Sequence, residues 1–269
     1  MQASILPAST NIMPQNPAMQ QKIIIKNNHG EKLVGVLHET GSTETVILCH
    51  GFLCTKEHRN MVNLAMALEN EGISSFRFDF AGNGESEGLF GYSNYYREVE
   101  DLRAVVEYFN GVNRPIKTIV GHSKGGNIVL LYASKYHDID AVINVSGRYD
   151  LKKGIEERLG TGVLERIGKS GVIDVKNSKG ETYLVTKESL MDRLNINMRE
   201  ACLSIDKNCR VLTIHGSNDK FVHIEDAMEF DKFIANHRLK IIRAANHGYT
   251  SHQEQLASAI LNFLEDTRL

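Results

Sequence analysis

The chain has 269 residues, of which 42% are hydrophobic and 24% charged. That length suits one α/β domain carrying an insertion, and the apolar share is enough to build a core, which excludes a disordered chain. A formal net charge of −2 excludes the basic surface of a nucleic-acid binder, and no apolar run nears the roughly 20 residues needed to cross a bilayer.

Residues 1–21, "MQASILPASTNIMPQNPAMQQ", hold no charged residue and three of the chain's four prolines. They lack the basic start and apolar core of a secretory signal, and the arginines of an organelle transit peptide. They read as a flexible tail on a cytoplasmic protein. Two β-like runs follow, "KIIIKNN" and "KLVGVLHE", around the turn signal His29-Gly30. "ETVILCHG" reads as a buried strand. Met61, Leu64, Ala65 and Leu68 have helix spacing, and Gly72 closes that helix. "ISSFRFDF" is a strand, "YYREVEDLRAVVEYFN" a helix, "KTIVGHS" a strand, "NIVLLYASKY" a largely apolar helix and "AVINVSG" a strand. Alternating strands and helices predict parallel βαβ units, and near-continuous apolar strands predict a sheet covered on both faces.

The alternation breaks over residues 150–206, a polar stretch with helix-like pieces at Ile155–Ile167 and Lys187–Leu194. It resumes with "CRVLTIHG", a helix near Ile224–Ala235, the strand "KIIRA" and a last helix from Ser251 to Glu265. That helix puts Leu256, Ile260, Phe263 and Leu264 on one face. The expected fold is therefore a mostly parallel, doubly wound sheet whose order is interrupted by an insertion at 150–206. Segments of that kind often form a lid or binding surface.

Gly121-His122-Ser123-Lys124-Gly125 fits the pattern G-x-S-x-G between a predicted strand and a predicted helix. A sharp turn there would hold the serine in a strained backbone and expose its hydroxyl at the edge of the sheet. A serine hydroxyl needs a base, and the base needs an orienting acid. "HGSNDKFV" offers Asp219 and "AANHGYTSH" offers His247, each in a loop after a strand and so at the same edge as Ser123. Glu225 and Asp226 compete for the acid but fall within the next helix. His252 competes for the base but begins the last helix. The backbone N–H groups of Phe52, after the small Gly51, and of Lys124 would bind the oxyanion. The Lys124 side chain would run to a carboxylate or to solvent; the sharper alternative is that its ammonium attracts an anionic substrate.

Three patterns point elsewhere and fail. Gly82-x-Gly84 lacks the third glycine of a dinucleotide loop, because position 87 is Glu. Gly168-Lys169-Ser170 lacks the P-loop glycine, because position 163 is Val. The eleven histidines and the cysteines Cys49, Cys54, Cys202 and Cys209 form no metal-ligand spacing or disulfide framework, and the thiols read as reduced.

Together, "HGF" at 50–52, "DFAGNGES" at 79–86, "GHSKGG" at 121–126, "HGSNDKFV" at 215–222 and "NHGY" at 246–249 resemble the α/β-hydrolase superfamily. The likeness runs from about Lys22 to the C-terminus. It is narrower to the branch holding serine aminopeptidase-type hydrolases, cinnamoyl and feruloyl esterases and monoacylglycerol-lipase-like enzymes. The resemblance implies an oxyanion hole at the first motif, nucleophile, acid and base at the last three, and a lid at residues 150–206. It also implies hydrolysis of small-molecule carboxylic esters through an acyl-enzyme, with no metal or organic cofactor. Lys124 departs from the uncharged residue of many relatives. Peptidase, thioesterase or acyltransferase chemistry could use the same acyl-enzyme, and a ligand receptor could keep the same fold without turnover. Nothing in the sequence bears on oligomeric state.

Overall fold

The computed structural model describes residues 19–177 and 180–266; residues 1–18 of the expected tail lie outside the described residues. The chain opens on an antiparallel pair, β1 (Met19–Lys26) and β2 (Lys32–Glu39). The βαβ units follow as β3 (Thr45–Cys49), α1 (Arg59–Asn70), β4 (Ser74–Phe78), α2 (Tyr95–Gly111), β5 (Thr118–His122), α3 (Lys124–Tyr136) and β6 (Ala141–Val145). Then come α4 (Ile155–Leu159), α5 (Val163–Ser170), the hairpin β7 (Val172–Lys176) and β8 (Thr182–Thr186), α6 (Lys187–Asn195) and α7 (Met198–Ser204). The chain closes with β9 (Arg210–Gly216), α8 (Ile224–Phe233), β10 (His237–Ile242) and α9 (Gln253–Glu265).

The main sheet runs β1-β2-β4-β3-β5-β6-β9-β10. Its β1–β2 and β2–β4 pairs are antiparallel, and every pair from β4 to β10 is parallel. This is the α/β-hydrolase fold. Period-two alternation feeds two cores. In β3, Ile47 and Cys49 point to the layer of α2 and α3, whereas Val46 and Leu48 point to the layer of α1 and α9. The stripe Met61, Leu64, Ala65 and Leu68 of α1 is buried against the second core, as its spacing predicts. The central helix α3 is buried along its first ten residues, Lys124 to Ala133, because it lies over the middle of the sheet. No helix among the described residues is long and apolar enough to cross a membrane.

Several boundaries differ from the sequence reading. Met19 to Gln21, placed in the tail by composition, pair with Leu37 to Glu39; an exposed polar edge strand carries no apolar alternation to read. The helix expected over Ile155–Ile167 is two helices, because Gly160 (φ 90°) and Gly162 (φ 68°) adopt left-handed backbone between them. The β7–β8 hairpin and α7 were read as irregular. A third core, Ile155, Leu159, Val163, Ile167, Val185 and Leu190, holds the insertion together around Tyr92. Met198, Ala201, Cys202 and Ile205 pack instead into the main core.

Candidate active site

Ser123 sits between β5 and α3 with φ 57° and ψ −117°, a conformation that costs of order 1–3 kcal/mol and persists only where its surroundings impose it. They do. Its N–H is bonded to the Val145 carbonyl of β6 at 2.8 Å. A Cβ on Gly121 would lie 2.0 Å from the Gly125 carbonyl oxygen, and one on Gly125 would lie 2.4 Å from the Cys49 carbonyl oxygen. The two glycines therefore let strand, turn and helix cross at backbone contact, and the serine is left projecting at the carboxyl edge of the sheet.

Asp219 follows β9, and His247 follows β10. The structure brings both to Ser123: His247 Nε2 is 2.9 Å from Ser123 Oγ, and His247 Nδ1 is 2.6 Å from Asp219 Oδ2. The other Asp219 oxygen accepts the N–H groups of Phe221 and Val222 at 2.9 Å each. Burial alone would raise the Asp219 carboxyl. The His247 hydrogen bond and charge, with those two backbone bonds, hold it below its ordinary value. The competing residues are engaged elsewhere. Asp226 accepts from the backbone of Tyr149 and Asp150 at 2.7 and 3.0 Å, Glu225 is exposed, and His252 stands at the N-cap of α9.

Phe52 and Lys124 line the same cavity as Ser123 and His247. Lys124 is the first residue of α3, where a backbone N–H has no partner within the helix. A Cβ on Gly51 would lie 3.1 Å from Ser123 Cβ, so the turn before Phe52 presses against the serine. The Phe52 ring meets Phe90, Tyr92 and Tyr183 at centroid distances of 5.6 to 5.7 Å, tying the turn after β3 to the insertion. The cavity has a volume of about 570 Å³, within the range that holds small molecules. Tyr183, Arg158 and Arg193 of the insertion help to line it.

The Lys124 side chain turns to a carboxylate rather than to solvent. Its Nζ lies 2.6 Å from Glu98 Oε1 and 5.1 Å from the centre of the Tyr95 ring, and both partners of the pair are buried. Burial pushes Glu98 up to about 7 and pushes the ammonium down. The contact offsets desolvation of both groups instead of leaving a free cation over the serine.

Two histidines do structural work that the sequence did not reveal. His122 donates from Nε2 to the His247 carbonyl at 2.8 Å, fastening the loop that carries His247 to the serine turn. His50 donates from Nδ1 to the Gly51 carbonyl at 2.8 Å and accepts the Phe80 N–H on Nε2 at 3.1 Å, bracing the turn that ends in Phe52. Each lies inside a quoted motif, within two residues of one singled out for chemistry, and that closeness was the available signal. "DFAGNGES" is likewise a brace. Asp79 accepts from Lys56 Nζ at 2.7 Å and from the Lys56 and Glu85 backbones at 2.6 and 3.0 Å, and a Cβ on Gly84 would strike its carboxylate at 2.3 Å. Among the described residues, no group of three His, Cys, Asp or Glu is arranged to hold a metal ion.

Acid should loosen this frame. Burial pushes His50 down to about 4 and His122 down to about 3. Between those values and the ordinary histidine range near 6.5, the unfolded chain binds protons that the folded chain does not, so lowering the pH favours unfolding. From pH 7 to pH 5 each ring removes about 2 kcal/mol of stability, whereas Glu98, protonated earlier in the folded state, returns about 2 kcal/mol. The expected net loss from these three groups, about 2 kcal/mol, would lower Tm by roughly 4–8 °C, and the burial-lowered rings of His58, His215 and His237 act in the same direction. A Tm at pH 5 equal to or above that at pH 7 would show that these rings accept protons without unfolding.

A family model described as serine aminopeptidase, S33, matches residues 41–188. Among solved structures, the chain is similar to Est1E from Butyrivibrio proteoclasticus with ferulic acid bound, at 23% identity over 91% of this chain and 98% of that one, with a TM-score of 0.74. It is also similar to the esterase Pf2001 of Pyrococcus furiosus, at 22% identity over 98% and 99% of the two chains, with a TM-score of 0.73. At these identities the likeness is one of fold. No curated protein matches the chain in sequence.

Proposed function

Since the chain belongs to the serine aminopeptidase, S33, family and is therefore a serine hydrolase, we propose that it cleaves carboxylic esters of small to medium acyl groups through an acyl-enzyme. The observation that carries this reading is the chain of contacts from Ser123 through His247 to Asp219 at 2.9 and 2.6 Å, beside a cavity. Ser123 Oγ attacks the ester carbonyl while His247 Nε2 takes its proton, and Asp219 holds Nδ1–H and stabilises the imidazolium that forms. The oxyanion is received by the N–H groups of Phe52 and Lys124, each contributing about 3–4 kcal/mol of transition-state stabilisation. His247 returns its proton to the leaving alcohol, and a water activated by the same nitrogen releases the acid. The insertion selects the acyl group.

The cavity favours an ester over a peptide with a free amino terminus. Such a peptide brings an ammonium that needs carboxylates, and no Asp or Glu is among the described residues lining this cavity. The test is labelling with a fluorophosphonate, together with hydrolysis of p-nitrophenyl esters of increasing acyl length. Stoichiometric labelling at Ser123 and an optimum among short to medium chains are expected. A protein that neither labels nor turns over any ester would sink the esterase reading and favour a ligand receptor.

A further inference from the structure

The cavity over Ser123 carries charge of one sign. Lys124, Arg148, Arg158, Lys176 and Arg193 line it, with no Asp or Glu among the described lining residues. Walls of low dielectric focus such a field on whatever enters. These cations are not equivalent. Lys124 is answered by Glu98. Arg148 donates to the Phe221 carbonyl and feels the Asp226 charge. Arg158 and Lys176 are exposed, Arg158 lying over the Phe52 ring at 4.9 Å.

Arg193 of α6 differs from all of them. It is 6% exposed, and its hydrogen bonds run to neutral oxygens, from Nε to the Leu151 carbonyl at 3.0 Å and from one Nη to the Tyr95 hydroxyl at 2.6 Å. Among the described residues it makes no ion pair with a carboxylate. A buried guanidinium without a counterion is costly. The Tyr92 and Tyr95 rings, at 5.7 and 5.9 Å, offset only part of that cost. The other Nη has no hydrogen-bond partner among the described residues, which leaves its N–H donors open to a carboxylate.

We propose that Arg193 is the specificity residue of this cavity and that the substrate is an ester which also bears a carboxylate. The carboxylate docks on the unpartnered Nη of Arg193 while the ester carbonyl lies at Ser123. The proposal rests on the esterase reading above. It also moves the attraction for anions from Lys124, whose ammonium Glu98 already engages, to a residue in a polar helix of the insertion.

Two matched pairs of esters test it. One is mono-p-nitrophenyl adipate against p-nitrophenyl hexanoate, with the charge on the acyl side. The other is 4-acetoxybutyrate against its methyl ester, with the charge on the alcohol side. The wild type should prefer the charged member of at least one pair in kcat/KM, and Arg193→Met should lower that preference about tenfold or more. Arg193→Lys, which keeps the charge without the guanidinium donors, should restore part of it. Loss of the neutral and charged members in equal proportion, or no preference in the wild type for either pair, would overturn the proposal. Titration of the Ser123→Ala protein with monomethyl adipate and with 4-acetoxybutyrate separates this from the parent reading. Binding that weakens on adding Arg193→Met keeps the anion site even if no ester is turned over. Ester hydrolysis combined with binding indifferent to Arg193 removes the anion site and leaves the esterase.

Discussion

Replacing Ser123 with alanine is expected to lower kcat by about 10⁴-fold or more and to abolish fluorophosphonate labelling, with the fold intact. The change removes one oxygen atom, the proposed nucleophile, from a site whose frame is made by the backbone. The bonds from Ser123 N–H to Val145 and from Gly126 N–H to the Ser123 carbonyl, at 2.8 and 2.9 Å, survive the substitution. Alanine meets the same strain at φ 57° that serine already bears. Only the Oγ contact to His247 is lost, so stability should change by no more than about 1 kcal/mol. Steady-state rates on a p-nitrophenyl ester, with a thermal melt of the same sample, decide the matter. A variant with more than a few per cent of wild-type turnover would mean that another group attacks.

Asp219→Asn should be nearly as damaging, lowering kcat by about 10⁴-fold near neutral pH, for a reason that lies in proton placement. The asparagine oxygen can still accept from the Phe221 and Val222 backbones, which now bond to one carboxylate oxygen. Its amide nitrogen then faces His247 Nδ1, where Asp219 Oδ2 stands at 2.6 Å. An NH₂ there donates, which forces Nδ1 to accept and puts the ring proton on Nε2. A protonated Nε2 cannot take the proton of Ser123 Oγ. The geometry is kept and the tautomer is wrong, so the loss should appear in kcat with little change in KM. A loss below tenfold would move the orienting role away from Asp219. Asp226 and Glu225 are poor heirs, the first bonded to the Tyr149 and Asp150 backbones and the second exposed.

Legibility followed periodicity. The strand before Ser123 and the helix after it were readable because both are apolar, and "GHSKGG" marks the crossing. Asp219 and His247 could be nominated from chain order and from their place after strands, although they are 28 residues apart in sequence and His247 and Ser123 are 124 apart. The insertion was poorly legible. β7 and β8 alternate only weakly, with one buried residue in each, Val175 and Val185. A small unit needs few apolar residues to hold its own core, and so it leaves few in the pattern.

What the sequence determined by itself was local and periodic: the order of strands and helices, the glycines of the serine turn, and the candidate residues at the ends of strands. These follow from backbone sterics and from which side chains avoid water, which short stretches already encode. What only the tertiary structure decided was pairing between distant side chains. The ammonium of Lys124 could go to solvent, to a substrate or to a carboxylate, and Glu98 claimed it because α2 packs beside α3. Arg193 is one charge among many in a polar stretch of sequence, and the fold carries it, without a counterion among the described residues, into the wall of the cavity above Ser123. The field felt at a site depends on distances that the chain sets only when it closes on itself.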